Sequence, residues 1–260
     1  MPSKNYIELV EKTFNVLEAL AEEPGGASLG TLASRAGLVK SSAFRILFTL
    51  KDLGYVEQES QNGDYRLTLK TLILGRRAAV RPTLANVAHS HLVAARDQTK
   101  ESTALAEWRR GKAILIQAAE AANLLSLQLQ VGDGCALHAS ALGKAIAAHL
   151  PADELEAALG PGPLQRFTDR TITSRSQVAS ELLRVRKNGV AVNDGETVEG
   201  AYFVGAPVFD ANDRVCAALS ICAPTARCTP AKRQTMGLCV AAAASAVSRD
   251  LKALGFAASV

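Results

Sequence analysis

The segment GLVKSSAFRIL, residues 37–47, places a glycine before an apolar helical pattern that also carries short hydroxyl side chains and cations. Gly37 ends the preceding helical run, because glycine readily adopts the left-handed conformation that terminates many helices. The pattern after it predicts a helix from about Lys40 to Leu53. Its inner face consists of Ala43, Ile46, Leu47 and Leu50. Its outer face carries Ser41, Ser42, Arg45 and Thr49.

Two further helices are predicted before this segment. Apolar spacings of three and four indicate the first helix over residues 6–21. Its predicted inner face consists of Ile7, Val10, Phe14, Leu17 and Ala21. The string EEPGG (22–26) breaks this helix, and Ser28 is the predicted N-cap of the second. The inner face of the second helix consists of Leu29, Leu32, Ala33 and Ala36. Three short helices with a glycine turn before the third indicate a helix-turn-helix unit.

A β-hairpin follows the third helix. The strings YVEQES (55–60) and YRLTL (65–69) flank QNGD (61–64), whose Asn-Gly pair is a strong hairpin signal. This addition predicts a winged helix, in which the third helix enters the major groove of DNA. Cations without acids cluster in residues 35–51 and again in residues 66–81, as phosphate contacts require. The predicted DNA-binding residues are Arg35, Lys40, Ser41, Ser42, Arg45, Thr49 and Arg66.

The same residues allow a simpler interpretation. Ser41 or Ser42 could only cap the third helix, and Arg45 could only be a solvated surface cation. Winged helices also serve as protein-interaction adaptors, so this function remains an alternative to DNA binding.

Composition limits the class of protein. The chain has 260 residues, 48% of them hydrophobic, which is enough apolar material for two domains. The Ala-rich string CVAAAASAV (239–247) is too short to span a membrane, and the first residues contain no apolar signal region. Five cysteines form an odd set without a Cys-x-x-Cys pair. We therefore predict reduced thiols in a cytoplasmic protein with no membrane partner.

The rest of the chain predicts an α+β domain. We assign residues 1–68 to the winged helix-turn-helix domain, 69–82 to a linker helix and 83–260 to a C-terminal domain. Strand patterns occur at 102–110, 112–120 and 124–131, and again in AVNDG, AYFVGAPVF and RVCAALSIC. Helices lie between these groups, and a final helix is predicted from Thr229 to about Leu254, with Pro230 at its first position. This order indicates an antiparallel sheet covered by helices.

Two blocks of the sequence resemble the IclR family of bacterial transcriptional regulators. One is LASRAGLVKSSAFRILFTLKDLGYVEQESQNGDYRLTLKTLILG (32–75). The other begins with LHASALGKAIAAHLPADELEAAL (137–159) and continues through residues 167–196 and GAPVFDANDRVCAALSICAP (205–224). The resemblance implies a dimer or tetramer that binds a palindromic operator in double-stranded DNA. It also implies that a small organic effector, bound in a GAF-like C-terminal domain, changes the operator affinity.

The resemblance also implies which residues bind the effector. They are Leu124, Leu127, Cys135, Ala141, Leu142, Asn193, Phe203, Ser220 and Cys222. Ser220 and Cys222 alternate along one strand and are therefore expected to face the same side. The family often has Asp where Asn193 stands, and commonly has Arg and Cys where Tyr202 and Phe203 stand. We therefore expect an aromatic or short organic acid as effector.

Two further differences concern the third helix. Val39 replaces a frequent Pro, and Phe44 replaces a frequent His or Tyr, so the operator sequence does not follow from the resemblance.

An enzyme is the least favoured alternative. A hydrolase would use Cys222 or Ser140 as nucleophile and His138 or His149 as base, but Ser140 does not lie in a Gly-x-Ser-x-Gly motif. The sequence contains no phosphate loop, dinucleotide fingerprint or metal-ligand cluster. We therefore expect no catalysis, cofactor or metal.

Overall fold

The computed structural model describes residues 6–58, 60, 63–78, 83–122 and 129–258, with only the backbone described at 75–78. The chain divides into two compact units, with the boundary between residues 81 and 82. In the N-terminal unit the elements are α1 Glu8–Ala21, α2 Leu29–Arg35, α3 Lys40–Asp52, β1 Val56–Gln58, β2 Tyr65–Leu67 and α4 Leu69–Ala78. The helix-turn-helix and hairpin order agrees with the sequence prediction.

The inner faces of α2 and α3 are those that the sequence predicts. Ala43, Ile46, Leu47 and Leu50 are all buried. The Ser28 hydroxyl accepts the N–H of Thr31 at 3.2 Å and so caps α2. Gly37 has a φ of 65°, which lets the chain turn sharply between α2 and α3. These two helices share one apolar core with α1 and the hairpin.

The predicted inner face of α1 is wrong except at Leu17, which is partly buried against the core. The buried residues of this helix are Val16, Ala19 and Leu20. Of the predicted set, Ile7 is 65% exposed and Phe14 is 57% exposed. The helix carries apolar residues on more than one side, and periodicity alone does not select the side that meets the core.

The hairpin pairs β1 with β2 in antiparallel register. Tyr65 also exchanges two backbone hydrogen bonds with Ala27, at 3.0 and 2.9 Å, so the segment before α2 lies beside the wing. Residue 59 of the predicted strand and residues 61 and 62 of the predicted turn lie outside the described residues.

The C-terminal unit has the predicted α+β architecture. Its helices are α5 Leu84–Thr99, α6 Ala141–Ala147, α7 Ala152–Leu159, α8 Arg175–Asn188 and α9 Pro230–Ala253. Its strands are β3 Ser102–Arg109, β4 Lys112–Ala119, β5 Ala191–Asp194, β6 Ala201–Phe209 and β7 Val215–Pro224. They form an antiparallel sheet in the order β4-β3-β7-β6-β5.

Helices cover both faces of this sheet. One core lies between the sheet and α5 and α9, and the other lies between the sheet and α6 and α8. Thr229 caps α9 and Pro230 begins it, as predicted. Residues 124–128 of the predicted strand 124–131 lie outside the described residues, and residues 129–131 are not in a strand. Among the described helices, none is long and apolar enough to cross a membrane.

Candidate functional site

The outer face of α3 is a polar surface next to a buried apolar one. Lys40, Ser41, Arg45 and Thr49 are exposed, and Ser42 is partly buried. The N-cap of α3 is Val39, which makes no side-chain capping bond. The serines therefore do not occupy the capping position, and the simpler interpretation of them as caps is wrong. Short hydroxyl side chains allow another molecule to approach the helix backbone closely.

Exposed aromatic side chains also lie on α3. Phe44 is 49% exposed and Phe48 is 64% exposed, and their ring centroids are 6.3 Å apart. Phe44 was predicted only as a difference from the family, and Phe48 was not among the predicted residues. Their spacing of four residues on the predicted outer side was the available signal.

Arg35 and Arg66 have partners within the N-terminal unit. Arg35 contacts Glu22 at 2.9 Å and Glu23 at 2.5 Å. The Arg66 Nε donates to the carbonyl oxygen of Gly25 at 2.9 Å. A phosphate contact by Arg35 therefore competes with two carboxylates, which distinguishes it from the exposed cations of α3.

Four of the predicted effector-binding residues share one face of the C-terminal sheet. Asn193 pairs with Phe203, and Phe203 pairs with Cys222, so these residues form a row across β5, β6 and β7. Ser220 pairs with Gly205 in the next row on the same face. Opposed residues of an antiparallel pair lie on one face, so the expectation that Ser220 and Cys222 face the same side is confirmed.

The start of α6 lies directly over these rows. A Cβ added to Gly205 would lie only 2.8 Å from the carbonyl oxygen of Ala141, so β6 and α6 approach at backbone contact. Ser140 caps α6 by accepting the N–H of Gly143 at 2.9 Å. Ala141 and Leu142 are both buried, in positions next to the sheet face that carries Ser220.

The Asn193 side chain orders the turn that follows β5. Its Oδ1 accepts the N–H of Glu196 at 2.7 Å, and its Nδ2 donates to the Thr197 hydroxyl at 2.6 Å. Asn193 is 1% exposed, so its amide stabilises the loop between β5 and β6 from inside the protein.

Three further predicted effector-binding residues, Leu124, Leu127 and Cys135, are not part of these rows. Leu124 and Leu127 lie outside the described residues. The segment that leads to them begins beside Cys222, because Ala121 N–H donates to the Ser102 hydroxyl and the Cys222 thiol donates to the Ser102 carbonyl. Cys135 lies beside β4 and lines a separate cavity of about 500 Å³, whose lining includes none of the predicted sheet residues.

Lys144 is a buried charge that the sequence analysis missed. Its ammonium lies 2.5 Å from Glu196 Oε1 and 3.7 Å from Glu181, with no part of the side chain exposed. Burial raises the pKa of Glu196 above its usual value, against the lowering effect of Lys144. The pair joins α6 to the loop that Asn193 orders. A lysine among the apolar residues of ALGKAIAAHL was the signal for it.

The groups considered for a hydrolase do not form a nucleophile–base pair. Ser140 donates to the Ala136 carbonyl at 2.9 Å, and His138 Nε2 contacts the Gln165 carbonyl at 2.8 Å. Burial raises the pKa of the Cys222 thiol to about 12, so the thiolate is strongly disfavoured near neutral pH. Ser140, His138 and Cys222 each make a structural contact instead.

The chain is similar to regulators of known class along most of its length. The IclR helix-turn-helix domain matches residues 9–60, and the bacterial transcriptional regulator IclR C-terminal domain matches residues 77–249. The HTH-type transcriptional regulator KdgR of Escherichia coli (strain K12) is 32% identical over 245 residues, which cover 94% of this chain and 93% of that protein.

Solved structures have the same fold. The IclR protein of Thermotoga maritima superposes with a TM-score of 0.73 at 27% identity, over 95% of this chain and 100% of that one. An IclR homolog from Microbacterium hydrocarbonoxydans, complexed with 4-hydroxybenzoate, gives a TM-score of 0.80 at 22% identity, over 94% and 99% of the two chains.

Proposed function

Since the chain belongs to the IclR family of bacterial transcriptional regulators and is a DNA-binding regulator with a small-molecule effector, we propose that α3 is its recognition helix. The observation that carries this proposal is that α3 buries an apolar face and exposes Lys40, Ser41, Arg45 and Thr49. Arg45 is the central contact, because its guanidinium can reach a guanine edge or a phosphate. Lys40, Ser41, Ser42 and Thr49 complete the reading face.

Arg35 and Arg66 have a secondary role in this proposal. Arg35 exchanges its carboxylate partners for a backbone phosphate when DNA is bound, and Arg66 positions the wing through Gly25. Their substitution should therefore weaken binding to all sequences, whereas Arg45 contributes to sequence preference.

The effector-binding surface in this proposal is the sheet face beneath the start of α6. Phe203, Ser220 and Cys222 form its floor, with Ala141 and Leu142 above them. The family resemblance assigns Leu124 and Leu127 to the same surface, and Asn193 holds the loop at its edge. Cys135 lines the separate cavity beside β4 and is left out of this surface. A mostly apolar floor with few polar groups fits an organic acid with an apolar body.

The proposed active form is a dimer on a palindromic operator in the cytoplasm. The exposed apolar residues of α1 support this assembly, since Ile7, Val10 and Phe14 are each about half exposed or more. On α4, Leu69 is 77% exposed and Leu72 is 65% exposed. A second copy of the chain would cover such surfaces, and a two-fold dimer reads two related half-sites.

Operator binding tests the DNA-binding role directly. In a gel-shift titration with the DNA that flanks the coding region, we expect specific binding that weakens steeply as the salt concentration rises. The absence of any specific shift at low salt would contradict the operator proposal and favour a protein-interaction role.

The variant Arg45→Ala tests the reading face. Loss of a bidentate base contact should weaken operator affinity by about 10- to 100-fold. Thermal unfolding should be unchanged, because Arg45 is exposed. Arg166→Ala, at an exposed arginine of the C-terminal unit, is the matched control. An Arg45→Ala protein with unchanged operator affinity would refute the role of this residue.

A thermal-shift screen of small aromatic and short aliphatic acids tests the effector surface. A ligand that binds the folded state raises the unfolding midpoint, and 4-hydroxybenzoate is the first probe because it occupies a protein of the same fold. Phe203→Ala should change which acids raise the midpoint. The same ranking of acids in both proteins would argue against a role for Phe203.

A further inference from the structure

A cavity that does not include the proposed effector surface opens at the turn between β3 and β4 of the C-terminal unit. We name it the hairpin cavity, and its volume is about 590 Å³. This volume lies within the usual range of small-ligand sites. Trp108, Leu150 and Val215 are among its apolar lining residues, and none of the residues proposed for effector binding lines it.

The acids of the hairpin cavity are already occupied. Asp210 accepts the backbone N–H groups of Asn212, Arg214 and Ala258 at 2.9 to 3.1 Å. Glu154 contacts the Arg214 guanidinium at 3.1 Å, and Asp213 contacts Lys252. Each of these carboxylates therefore already has partners within the protein.

Three cations of the same cavity have no such compensation. The turn between β3 and β4 contributes Arg109, Arg110 and Lys112 to the lining. All three are exposed, and none has a side-chain partner among the described residues. Arg110 adopts a φ of 51°, so the turn holds consecutive cations at the mouth of the cavity. The result is a positive rim around an apolar interior.

His149 adds an unsatisfied polar atom to the lining. Its ring packs edge-on against Phe209, with centroids 5.0 Å apart, and its buried Nε2 has no hydrogen-bond partner in the described residues. Buried polar atoms are normally paired, so this unpaired nitrogen is an exception, and its burial places it behind the surface that a ligand would contact.

From this arrangement we propose that the hairpin cavity binds a small organic anion with an aromatic or other apolar body, at a site separate from the effector surface. The carboxylate lies at the rim, against Arg110 and Lys112, where charge-assisted hydrogen bonds form. The apolar body lies inside, against the indole of Trp108. A second ligand site gives the regulator a second chemical input besides its effector.

Trp108 makes the site directly measurable, because it is the single tryptophan of the chain. Titration of the full-length protein with sodium benzoate should change the tryptophan fluorescence in a saturable way. Benzamide, which has the same ring without the charge, should cause no saturable change. A response to both compounds, or to neither up to tens of millimolar, would overturn the proposal.

Variants locate the response. Arg110→Asn/Lys112→Gln keeps a residue that tolerates the left-handed conformation at 110 and should weaken benzoate binding about tenfold or more. Arg166→Gln/Lys187→Gln removes two exposed cations that do not line the cavity and should leave the affinity unchanged. Equal affinity in the first variant would refute the rim contact.

The variant Phe203→Ala separates this site from the effector surface. Its benzoate titration by Trp108 fluorescence should match that of the unaltered protein, even where its thermal-shift ranking changes. Loss of the fluorescence response in Phe203→Ala would mean that Trp108 reports the effector surface, and the separate site would be rejected. A fluorescence change that follows protein concentration without benzoate would identify the cavity as a contact between copies, which would also reject it.

Discussion

Lys144 illustrates how one side chain connects distant parts of the C-terminal unit. It lies in α6 and contacts Glu196, 52 residues later in the chain. Glu196 is itself held by the amide of Asn193 and by the hydroxyl of Thr171, which donates to its carbonyl at 2.6 Å. The ion pair therefore fixes the start of α6 against the loop after β5, next to the proposed effector surface.

Removal of the Lys144 charge should destabilise the C-terminal unit. In Lys144→Met the Glu196 carboxylate is left buried without its partner, which costs about 3–5 kcal/mol. Lys144→Met/Glu196→Gln removes both charges and should recover part of this loss. Chemical unfolding of the three proteins measures the difference, and equal stability of the two variants would contradict the interpretation.

The same variants should differ in their response to pH. The pKa of Glu196 is already raised by burial, and loss of Lys144 raises it further. At a pH above the ordinary pKa of glutamate, the folded variant therefore keeps a proton on Glu196, whereas the unfolded variant has lost it. The folded state binds more protons than the unfolded state in this range. The Lys144→Met protein should accordingly lose less stability at pH 5 than at pH 8.

At the scale of elements, the contact between α6 and β6 depends on glycine. The space beside Gly205 is occupied by the Ala141 backbone, which no rotamer change can move. Only a residue without a Cβ lets α6 approach the sheet at this point. The helix start and the row that contains Ser220 are adjacent for this reason.

Gly205→Ala tests this approach. The added methyl group should displace α6 and lower the free energy of unfolding by about 1–3 kcal/mol, with altered effector binding. Gly237→Ala in α9 is the control, because nothing lies within 4 Å of its added Cβ. That substitution should raise stability by about 0.5–1 kcal/mol through its helix preference. Differential scanning calorimetry compares the two, and an equally stable Gly205→Ala protein would exclude the proposed steric role.

At the scale of the whole molecule, the exposed side of α1 predicts self-association. We expect Val10→Ser/Phe14→Ser to shift the protein from dimer to monomer in sedimentation experiments, because the substitutions remove apolar area that a partner would bury. Operator affinity should fall with the dimer, since a monomer contacts one half-site. Leu238→Ser, at a 69% exposed position of α9, is the matched control.

Two results would contradict this prediction. A dimer that persists in Val10→Ser/Phe14→Ser would assign the interface to another surface. A monomeric protein before any substitution would exclude the dimer itself.

The sequence determined the features that depend on neighbours along the chain. The helix-turn-helix order could be predicted because it follows local preferences. These are the turn at Gly37, the cap at Ser28 and the spacing of Ala43, Ile46 and Leu50. Strand alternation likewise located β3 to β7 and placed Ser220 and Cys222 on one face, while most of the strand predicted at 124–131 lies outside the described residues.

Tertiary structure alone decided which surfaces meet. Contacts in space placed Val16 instead of Phe14 in the core and gave Arg35 its partners. They also paired Lys144 with Glu196 and formed the hairpin cavity at Trp108. Each of these features joins residues that are far apart in the sequence or selects one of two similar faces. The physical reason is that burial and electrostatic pairing depend on distances in space, whereas local patterns specify only backbone preference and the direction of side chains along one element.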